Sequence, residues 1–183
     1  CVVSDRGSPV GIVTIEDILE QVIGRIEDEY PHEPRLALGE LVHADHALLA
    51  LAARTSEDAI SEMAGRIPVD WLPADVDVAA LAIERERELP TDLGLGIAIP
   101  HARCPNLERP LVLFGRSEAG VIFDRQTTEP VHLIFLLVTP AEQPNLQVML
   151  LSEVARLAGD AEKRERLKSA LSADDVREVL QGT

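Results

Sequence analysis

The chain has 183 residues, a formal net charge of −15, 46% hydrophobic residues and only 3% aromatic residues. This length accommodates one domain of about 150 residues and a short additional segment. The acidic charge argues against a nucleic-acid interface, which requires basic patches, and against adhesion to anionic lipid. No apolar run approaches the roughly 20 residues of a membrane helix, so we expect this fragment to lie outside the membrane. Two cysteines imply no disulfide framework and are consistent with the cytoplasm.

Residues 1–30 are predicted to form two short strands followed by a helix. Thr14 is placed as the N-cap of that helix and Asp17 as its N3 residue, which is a variant of the capping box. An acidic stretch broken by prolines follows, and residues 31–36 are interpreted as a linker. Because the first residue is Cys1 and not Met, we expect the chain to be a piece of a longer polypeptide.

The runs Gly11–Glu20 and Val22–Tyr30 resemble the C-terminal end of a cystathionine-β-synthase (CBS) domain, of the kind found in CorC/HlyC-like and CNNM-like membrane proteins. The resemblance implies that transmembrane and CBS portions belong to the same longer chain. It also implies that Thr14 and Asp17 contact an adenine nucleotide in a complete CBS pair. The alternative is that both residues only cap their helix, and we favour it here because so short a segment does not enclose a pocket.

Residues 37–182 are predicted to form the main domain, with strands and helices that do not alternate regularly. This pattern favours an α+β fold with helices on both faces of a mixed sheet. The last helix is expected to begin with Ser172 as N-cap and Asp175 at N3. Helices are predicted at 55–67, 74–87, 145–158 and in two short segments before the C-terminus, and the run Thr55–Asp58 is expected to cap the first of them. Strands are predicted at 111–116, 120–125 and 130–138.

The segment Gly96–Arg103 places His101 after a short β-branched strand and a proline. A neutral imidazole is a good nucleophile near pH 7, because its ordinary pKa is about 6.5. Arg85 and Thr91 lie upstream of His101, and Gly94 and Gly96 allow backbone N–H groups to approach an anion. This set of groups is typical of phosphoryl chemistry.

The run from Arg85 through Thr91 to His101 resembles the phosphorylation-site motif of enzyme IIA domains of the bacterial phosphotransferase system, of the fructose, mannitol and nitrogen-regulatory type 2. The resemblance covers about residues 36–182 and implies a three-layer α/β/α sandwich. It implies that His101 accepts a phosphoryl group from a histidine phosphocarrier protein, without a metal or organic cofactor. Arg85 would compensate the phosphate charge. Thr91 would either donate to a phosphoryl oxygen or only cap the loop that follows the helix. Only the resemblance makes 46–53 a strand, since its propensity is helical.

The sequence departs from the family pattern at one position that bears on activity. Domains of this type often carry a second histidine at the start of the helix after the last strand. The most consistent register places Gln147 there, with Asn145 as the alternative. A glutamine amide donates a hydrogen bond but never becomes cationic, so we expect weaker stabilisation of the transferring group.

The remaining candidates are interpreted structurally. His132 is expected to be a hydrogen-bonded sheet histidine, Cys104 a packing residue, and the spacing of His43 and His46 only a weak indication of a metal site. The leading hypothesis is a phosphoryl-accepting regulatory domain attached to a CBS-containing, transporter-like protein. Two alternatives stay open: an interaction domain that keeps the fold without transfer, and an adenine-nucleotide sensor acting through the CBS portion.

Overall fold

The computed structural model describes residues 2–5, 8–12, 38–123 and 129–181 and divides the chain into two units, Cys1–Arg35 and Leu36–Thr183. In the first unit, β1 (Val2–Asp5) pairs antiparallel with β2 (Ser8–Ile12). Thr14 and Asp17, with the predicted linker at 31–36, lie outside the described residues. The interpretation of residues 1–30 as the end of a CBS domain therefore stays a prediction.

The second unit contains a mixed sheet between two layers of helices. Its helices are α1 (Leu38–Leu41), α2 (Ser56–Ala64), α3 (Val78–Glu88), α4 (Pro144–Gly159), α5 (Ala161–Ser169) and α6 (Ala173–Gln181). Its strands are β3 (Ala47–Leu48), β4 (Ile97–Ala98), β5 (His101–Cys104), β6 (Leu111–Ile122) and β7 (Pro130–Pro140). Single 3₁₀ turns span Ala44–His46 and Val69–Trp71. No described helix, of which the longest has 16 residues, combines the length and apolarity needed to cross a bilayer.

The sheet runs in the order β3-β6-β7-β4, and β5 also pairs with β7. Strands β6 and β7 are antiparallel, whereas β3 is parallel to β6 and both β4 and β5 are parallel to β7. β4 and β5 follow one path along β7, interrupted at Ile99 and Pro100. The Pro100 carbonyl accepts from the Leu137 N–H at 3.0 Å, so the path stays on the sheet although proline has no N–H to donate. His101 consequently lies opposite Leu137 in the ladder.

Each face of the sheet is covered by its own apolar cluster. Side chains alternate along β7, so Ile134, Leu136 and Val138 face the layer of α2 and α3, whereas Leu133, Phe135 and Leu137 face α1, α4, α5 and α6. Leu, Val, Ile and Ala dominate both clusters, as the composition predicts. The predicted mixed sheet with helices on both faces is confirmed.

Two predicted helix caps are confirmed at the atomic level. The Thr55 Oγ1 accepts from the Asp58 N–H at 3.2 Å and begins α2. At the start of α6, Ser172 Oγ accepts from the Asp175 N–H at 3.1 Å, and Asp175 Oδ2 accepts from the Ser172 N–H at 3.0 Å. This reciprocal pair is the predicted capping box, and it satisfies backbone donors that a helix leaves unpartnered.

The boundaries of other elements differ from the prediction. α2 ends at Ala64, three residues before the predicted end, and α3 begins at Val78, where Asp77 Oδ1 accepts from the Ala80 N–H at 3.0 Å. The strands predicted at 111–116 and 120–125 form one strand, β6, whose register against β7 shifts between Arg116 and Val121. Gly120 has a φ of 80° inside this bulge, which lets the strand continue instead of ending in a turn. The strand predicted at 46–53 is confined to Ala47–Leu48.

Packing between β6 and α2 yields a prediction about stability. A Cβ at Gly115 would lie 2.5 Å from Leu51 Cδ1 and 2.9 Å from Met63 Sδ. Because the core is close-packed, it accommodates this carbon only if the Leu51 and Met63 side chains move. We predict that Gly115→Ala lowers the free energy of unfolding by about 1–3 kcal/mol, measured by urea denaturation. Gly159→Ala, where nothing lies within 4 Å of the added carbon, serves as control and should be neutral or slightly stabilising. Equal effects of the two substitutions would contradict the packing argument.

Candidate functional site

A cleft of about 440 Å³ lies where α3, β5 and α4 meet. His101 enters it from the first position of β5, Arg85 from the last turns of α3 and Gln147 from the first turn of α4. The structure thus brings together three of the residues predicted for the site, and it places Thr91 elsewhere. The side chains around the cleft are Leu81, Glu84, Arg85, Glu88, His101, Ala102, Arg103 and Gln147.

The imidazole of His101 is held in one orientation by the backbone. Its Nδ1 lies 2.9 Å from the carbonyl oxygen of Ile99, and the residue is 8% exposed. A carbonyl only accepts hydrogen bonds, so Nδ1 carries the proton in this contact. In the neutral ring the lone pair is then on Nε2, which makes Nε2 the nucleophilic atom.

Burial and two arginines keep this ring neutral. Burial lowers the pKa of His101 most, the positive charges of Arg85 and Arg103 lower it further, and the hydrogen bond to Ile99 opposes them. A lowered pKa means that the unprotonated ring predominates at pH 7. This is the form of imidazole that attacks an electrophile.

The two arginines are held by different contacts. Arg85 Nη1 donates to the carbonyl of Leu89 at 3.3 Å, at the C-terminal end of α3. Arg103 Nε donates to Gln147 Oε1 at 2.8 Å. Sequence reasoning assigned no role to Arg103, although it lies two positions after His101 and side chains at i and i+2 of a strand share a face. That alternation is the signal that identifies it.

Of the two residues considered for the second-histidine position, Gln147 is the one whose side chain lines the cleft. It is 6% exposed, and its Oε1 also accepts from the Thr139 hydroxyl at 3.3 Å. Two donors therefore fix the amide oxygen, which leaves the NH₂ group of Gln147 as its donor to a ligand. Asn145, the alternative, is exposed and does not line the cleft.

Thr91 binds a buried carboxylate instead of facing the cleft. Its hydroxyl donates to Glu86 Oε2 at 2.6 Å and its backbone N–H donates to Glu86 Oε1 at 2.9 Å. Glu86 is 4% exposed, and sequence reasoning gave it no role. The pair closes the loop after α3 onto the helix that carries Arg85.

These contacts continue to the imidazole through two backbone carbonyls. The Thr91 carbonyl accepts from the Ile99 N–H at 3.1 Å, and the Ile99 carbonyl accepts from Nδ1 of His101. Glu86, Thr91, Ile99 and His101 thus form a continuous chain of hydrogen bonds, which we call the Glu86–His101 relay. It connects the position of the α3 helix to the tautomer of the histidine.

Other candidate residues have structural contacts. His132 Nδ1 lies 2.9 Å from the carbonyl of Ser117, which confirms a hydrogen-bonded sheet histidine. The rings of His43 and His46 are 5.4 Å apart and both contact Trp71 edge-on, and the described part of the chain holds no cluster of metal-binding side chains. Cys104 is fully buried, and burial raises the pKa of its thiol, as expected of a packing residue and not of a nucleophile.

The fold and the cleft define a class of protein: an α/β/α domain that presents a neutral histidine beside two arginines. Residues 40–182 match the family model described as "Phosphoenolpyruvate-dependent sugar phosphotransferase system, EIIA 2". Because this match covers most of the chain, the chain belongs to that family, the type-2 EIIA domains of the phosphotransferase system.

Known proteins of the family share both sequence and fold with this chain. The fructose-specific EIIA component of Haloferax volcanii is 37% identical over 107 residues, 58% of this chain and 70% of that protein. A nitrogen regulatory protein of Bradyrhizobium diazoefficiens is 28% identical over 145 residues, 79% and 95% of the two chains. The crystal structure of IIA-Ntr from Neisseria meningitidis matches with a TM-score of 0.67 at 29% identity, over 78% of this chain and 98% of that one. The predicted family is confirmed.

The contact between Thr91 and Glu86 predicts a pH-dependent effect on stability. Burial raises the pKa of Glu86 above its ordinary 4.5, and the hydrogen bonds from Thr91 oppose that increase. A raised folded-state pKa means that the stability Glu86 contributes is complete below about pH 4.5 and decreases as pH rises through the folded pKa. We predict that Thr91→Val lowers the free energy of unfolding by about 1–3 kcal/mol at pH 8 and by less at pH 4.5, because the hydroxyl binds the ionised carboxylate.

Denaturation at both pH values, for wild type and variant, measures this difference. Thr139→Val is the matched control, since the buried Thr139 hydroxyl donates only to the uncharged oxygens of Ala102 and Gln147. Its effect should be the same at both pH values. A Thr91→Val effect that does not depend on pH would show that Glu86 is not ionised in the folded protein at pH 8.

Proposed function

We propose that the chain is a phosphoryl-accepting regulatory domain and that Nε2 of His101 is the acceptor atom. The observation that supports this most strongly is the bond from Nδ1 to the Ile99 carbonyl, which directs the lone pair of a neutral ring to Nε2 beside two guanidinium groups. The donor in this proposal is the phosphohistidine of a histidine phosphocarrier protein, which the family resemblance implies.

The transfer step is an in-line displacement at phosphorus. The Nε2 lone pair of His101 forms the new N–P bond while the N–P bond of the donor breaks, and the donor imidazole keeps that electron pair. Attack makes the ring of His101 cationic, and the Ile99 carbonyl, which accepts from Nδ1, stabilises that charge. No metal or organic cofactor enters this step.

The cleft supplies donors for the three phosphoryl oxygens. Arg85 and Arg103 provide positive charge, and the Gln147 NH₂ group provides an uncharged hydrogen bond. Guanidinium groups suit this task because they remain cationic and bind oxyanions through paired N–H donors. Thr91 acts in this proposal by positioning His101 through the Glu86–His101 relay and not by touching phosphate.

Glu84 and Glu88 add negative charge at the same opening. A phosphoryl group therefore enters a cleft whose arginines attract it while the neighbouring carboxylates limit how tightly it is held. This balance suits a domain that gives the group up again, because transfer in both directions requires that neither state be bound far more strongly.

The wider setting is part of the proposal. The similarity to nitrogen regulatory proteins and to a fructose-specific component supports a role in regulation or sugar transport in the cytoplasm. The resemblance of residues 1–30 to a CBS domain supports attachment to a CBS-containing, transporter-like protein. In that setting the charge added at His101 would be the signal that the longer chain detects.

Direct labelling tests the acceptor. We predict that phosphoenolpyruvate, enzyme I and the phosphocarrier add one phosphoryl group, about 80 Da, in an acid-labile and base-stable linkage. His101→Ala should abolish the adduct, whereas His132→Asn should leave its yield unchanged. An adduct on the His101→Ala variant would exclude this histidine. A folded wild type that never labels with phosphocarriers from the same cell would favour the non-catalytic interaction domain.

Two substitutions separate the charge of Arg103 from the contribution of Gln147. Arg103→Leu removes a positive charge from the cleft and should slow labelling about tenfold. Because that charge lowers the pKa of His101, the pH at which the labelling rate is half-maximal should rise. Gln147→Leu removes the partner of the guanidinium and the NH₂ donor to phosphate but keeps the charge of Arg103. It should therefore slow labelling with a smaller change in the pH at which the rate is half-maximal.

Stopped labelling reactions between pH 5 and 8 measure both quantities. Val148→Ala is the control, since that side chain is exposed and lies outside the cleft. Unchanged rates in both Arg103→Leu and Gln147→Leu would show that the pair has no part in transfer.

A further inference from the structure

The only tryptophan in the sequence, Trp71, lies in a cluster with two histidines and an arginine. The ring centroids of His43 and His46 lie 5.0 and 5.3 Å from that of Trp71, and Arg109 Cζ lies 4.3 Å from the same ring. β3 follows His46 directly, and in the sheet it is separated from β5 by β6 and β7, which is roughly 14 Å at the spacing of strands. The cluster is therefore separate from the cleft of His101.

His46 is the buried member of this cluster. It is 1% exposed, and its Nδ1 has no hydrogen-bond partner in the described part of the chain. A neutral imidazole has an N–H on only one of its two nitrogens, whereas a protonated imidazole has an N–H on both. Protonation of His46 in place would therefore bury a charge together with an N–H donor at Nδ1 that has no acceptor, and both cost free energy.

The charged groups around His46 add to this preference for the neutral ring. Burial lowers the pKa of His46 most, the positive charges of His43 and Arg109 lower it further, and the exposed Asp45 opposes them. α6 and β6 also pack against this turn, but their charged side chains are not among the groups that change the pKa of His46. A folded-state pKa below the ordinary 6.5 means that the stability His46 contributes is complete above about pH 6.5 and decreases as the pH falls through the folded pKa.

The segment around His46 is attached to the sheet by a short edge strand. The His46 N–H donates to the His43 carbonyl at 2.9 Å, and β3, the next element, pairs with β6 over two residues at the edge of the sheet. Short edge segments open at a lower free energy than a core strand. Leu51, whose N–H donates to the Arg116 carbonyl at 2.8 Å, holds the chain on β6 after this segment.

We propose that residues 43–48 form an acid-sensitive latch, which neutral His46 holds closed against Trp71 and which protonation of His46 releases together with β3. Release exposes the Trp71 ring and the edge of β6 to water, while the core strands stay paired. The proposal does not depend on phosphoryl transfer at His101.

Amide hydrogen exchange of the full chain at pH 5 and pH 7.5, expressed as protection factors, tests the latch. We expect the protection of His46 and the β3 amides to be lower at pH 5 by about tenfold to thirtyfold, because the released ring binds a proton with its ordinary pKa. Leu51 and the β7 amide of Leu137 should keep their protection. Equal protection of His46 at both pH values would overturn the proposal, as would a parallel loss in β7, which indicates global unfolding.

The substitution His46→Phe separates release from other effects of acid. Phenylalanine keeps an aromatic ring against Trp71 and removes the group that titrates, so the protection of β3 should then be equal at pH 5 and pH 7.5. Trp71 emission between pH 5 and 8 gives the midpoint of release in wild type, because release exposes the ring to water. A folded His46→Phe variant that still loses protection of β3 at pH 5 would contradict the assignment to His46.

Two exposed positions test the same claim without changing the buried ring. His43→Asn and Arg109→Gln each remove a positive charge that lowers the pKa of His46, so the midpoint of release should move to higher pH in both. His132→Asn, outside the cluster, is the control and should leave the midpoint unchanged. A wild-type midpoint in both His43→Asn and Arg109→Gln would overturn the proposal even if His46→Phe failed to fold.

Discussion

The two hydrogen bonds that Thr91 gives to the buried carboxylate of Glu86 are the constraint on which the rest of the site depends. They close the loop after α3, and the Thr91 carbonyl then holds Ile99, whose own carbonyl binds Nδ1 of His101. Each contact satisfies a polar group that is removed from water, so loss of one member leaves its neighbour unpaired. The orientation of the imidazole is therefore set in part by α3, a helix that ends at Glu88, well before His101 in the chain, and not by the strand alone.

This arrangement has an energetic cost that its contacts offset only in part. Burial disfavours the ionised form of Glu86, and it disfavours the protonated form of His101. For His101 the effect is useful, because a neutral ring keeps its lone pair at pH 7. For Glu86, burial is unfavourable to the ionised carboxylate, but its two hydrogen bonds from Thr91 fix the loop after α3. Gln147 shows a similar compromise: it cannot become cationic as a histidine can, but it holds Arg103, which is cationic at every relevant pH.

Sequence reasoning found the residues whose chemistry is local and missed those whose role is set by tertiary contacts. His101 stands out because it follows a short strand and a proline, and Arg85 because its distance in sequence from His101 matches the family motif. The partner of Thr91 was not identified, because Glu86 belongs to a run of alternating charges typical of a solvated helix face and only its burial distinguishes it. The helices and strands were predicted because apolar periodicity is a local property of the sequence. The N-caps at Thr55 and Ser172 were predicted because a cap also depends only on neighbouring residues. The bulge that joins two predicted strands into β6 depends instead on pairing with β7.

The backbone carbonyl of Ile99 holds His101 with its proton on Nδ1, and we infer from this that Nε2 is the reacting atom. Long-range ¹H–¹⁵N correlation spectra of the imidazole, recorded near pH 7.5 before and after phosphorylation, distinguish the two nitrogens. We expect a protonated, pyrrole-type Nδ1 and a pyridine-type Nε2 in the free domain, and phosphorus coupling to Nε2 in the phosphorylated one. A free ring protonated at Nε2, or phosphorus bonded to Nδ1, would contradict the claim.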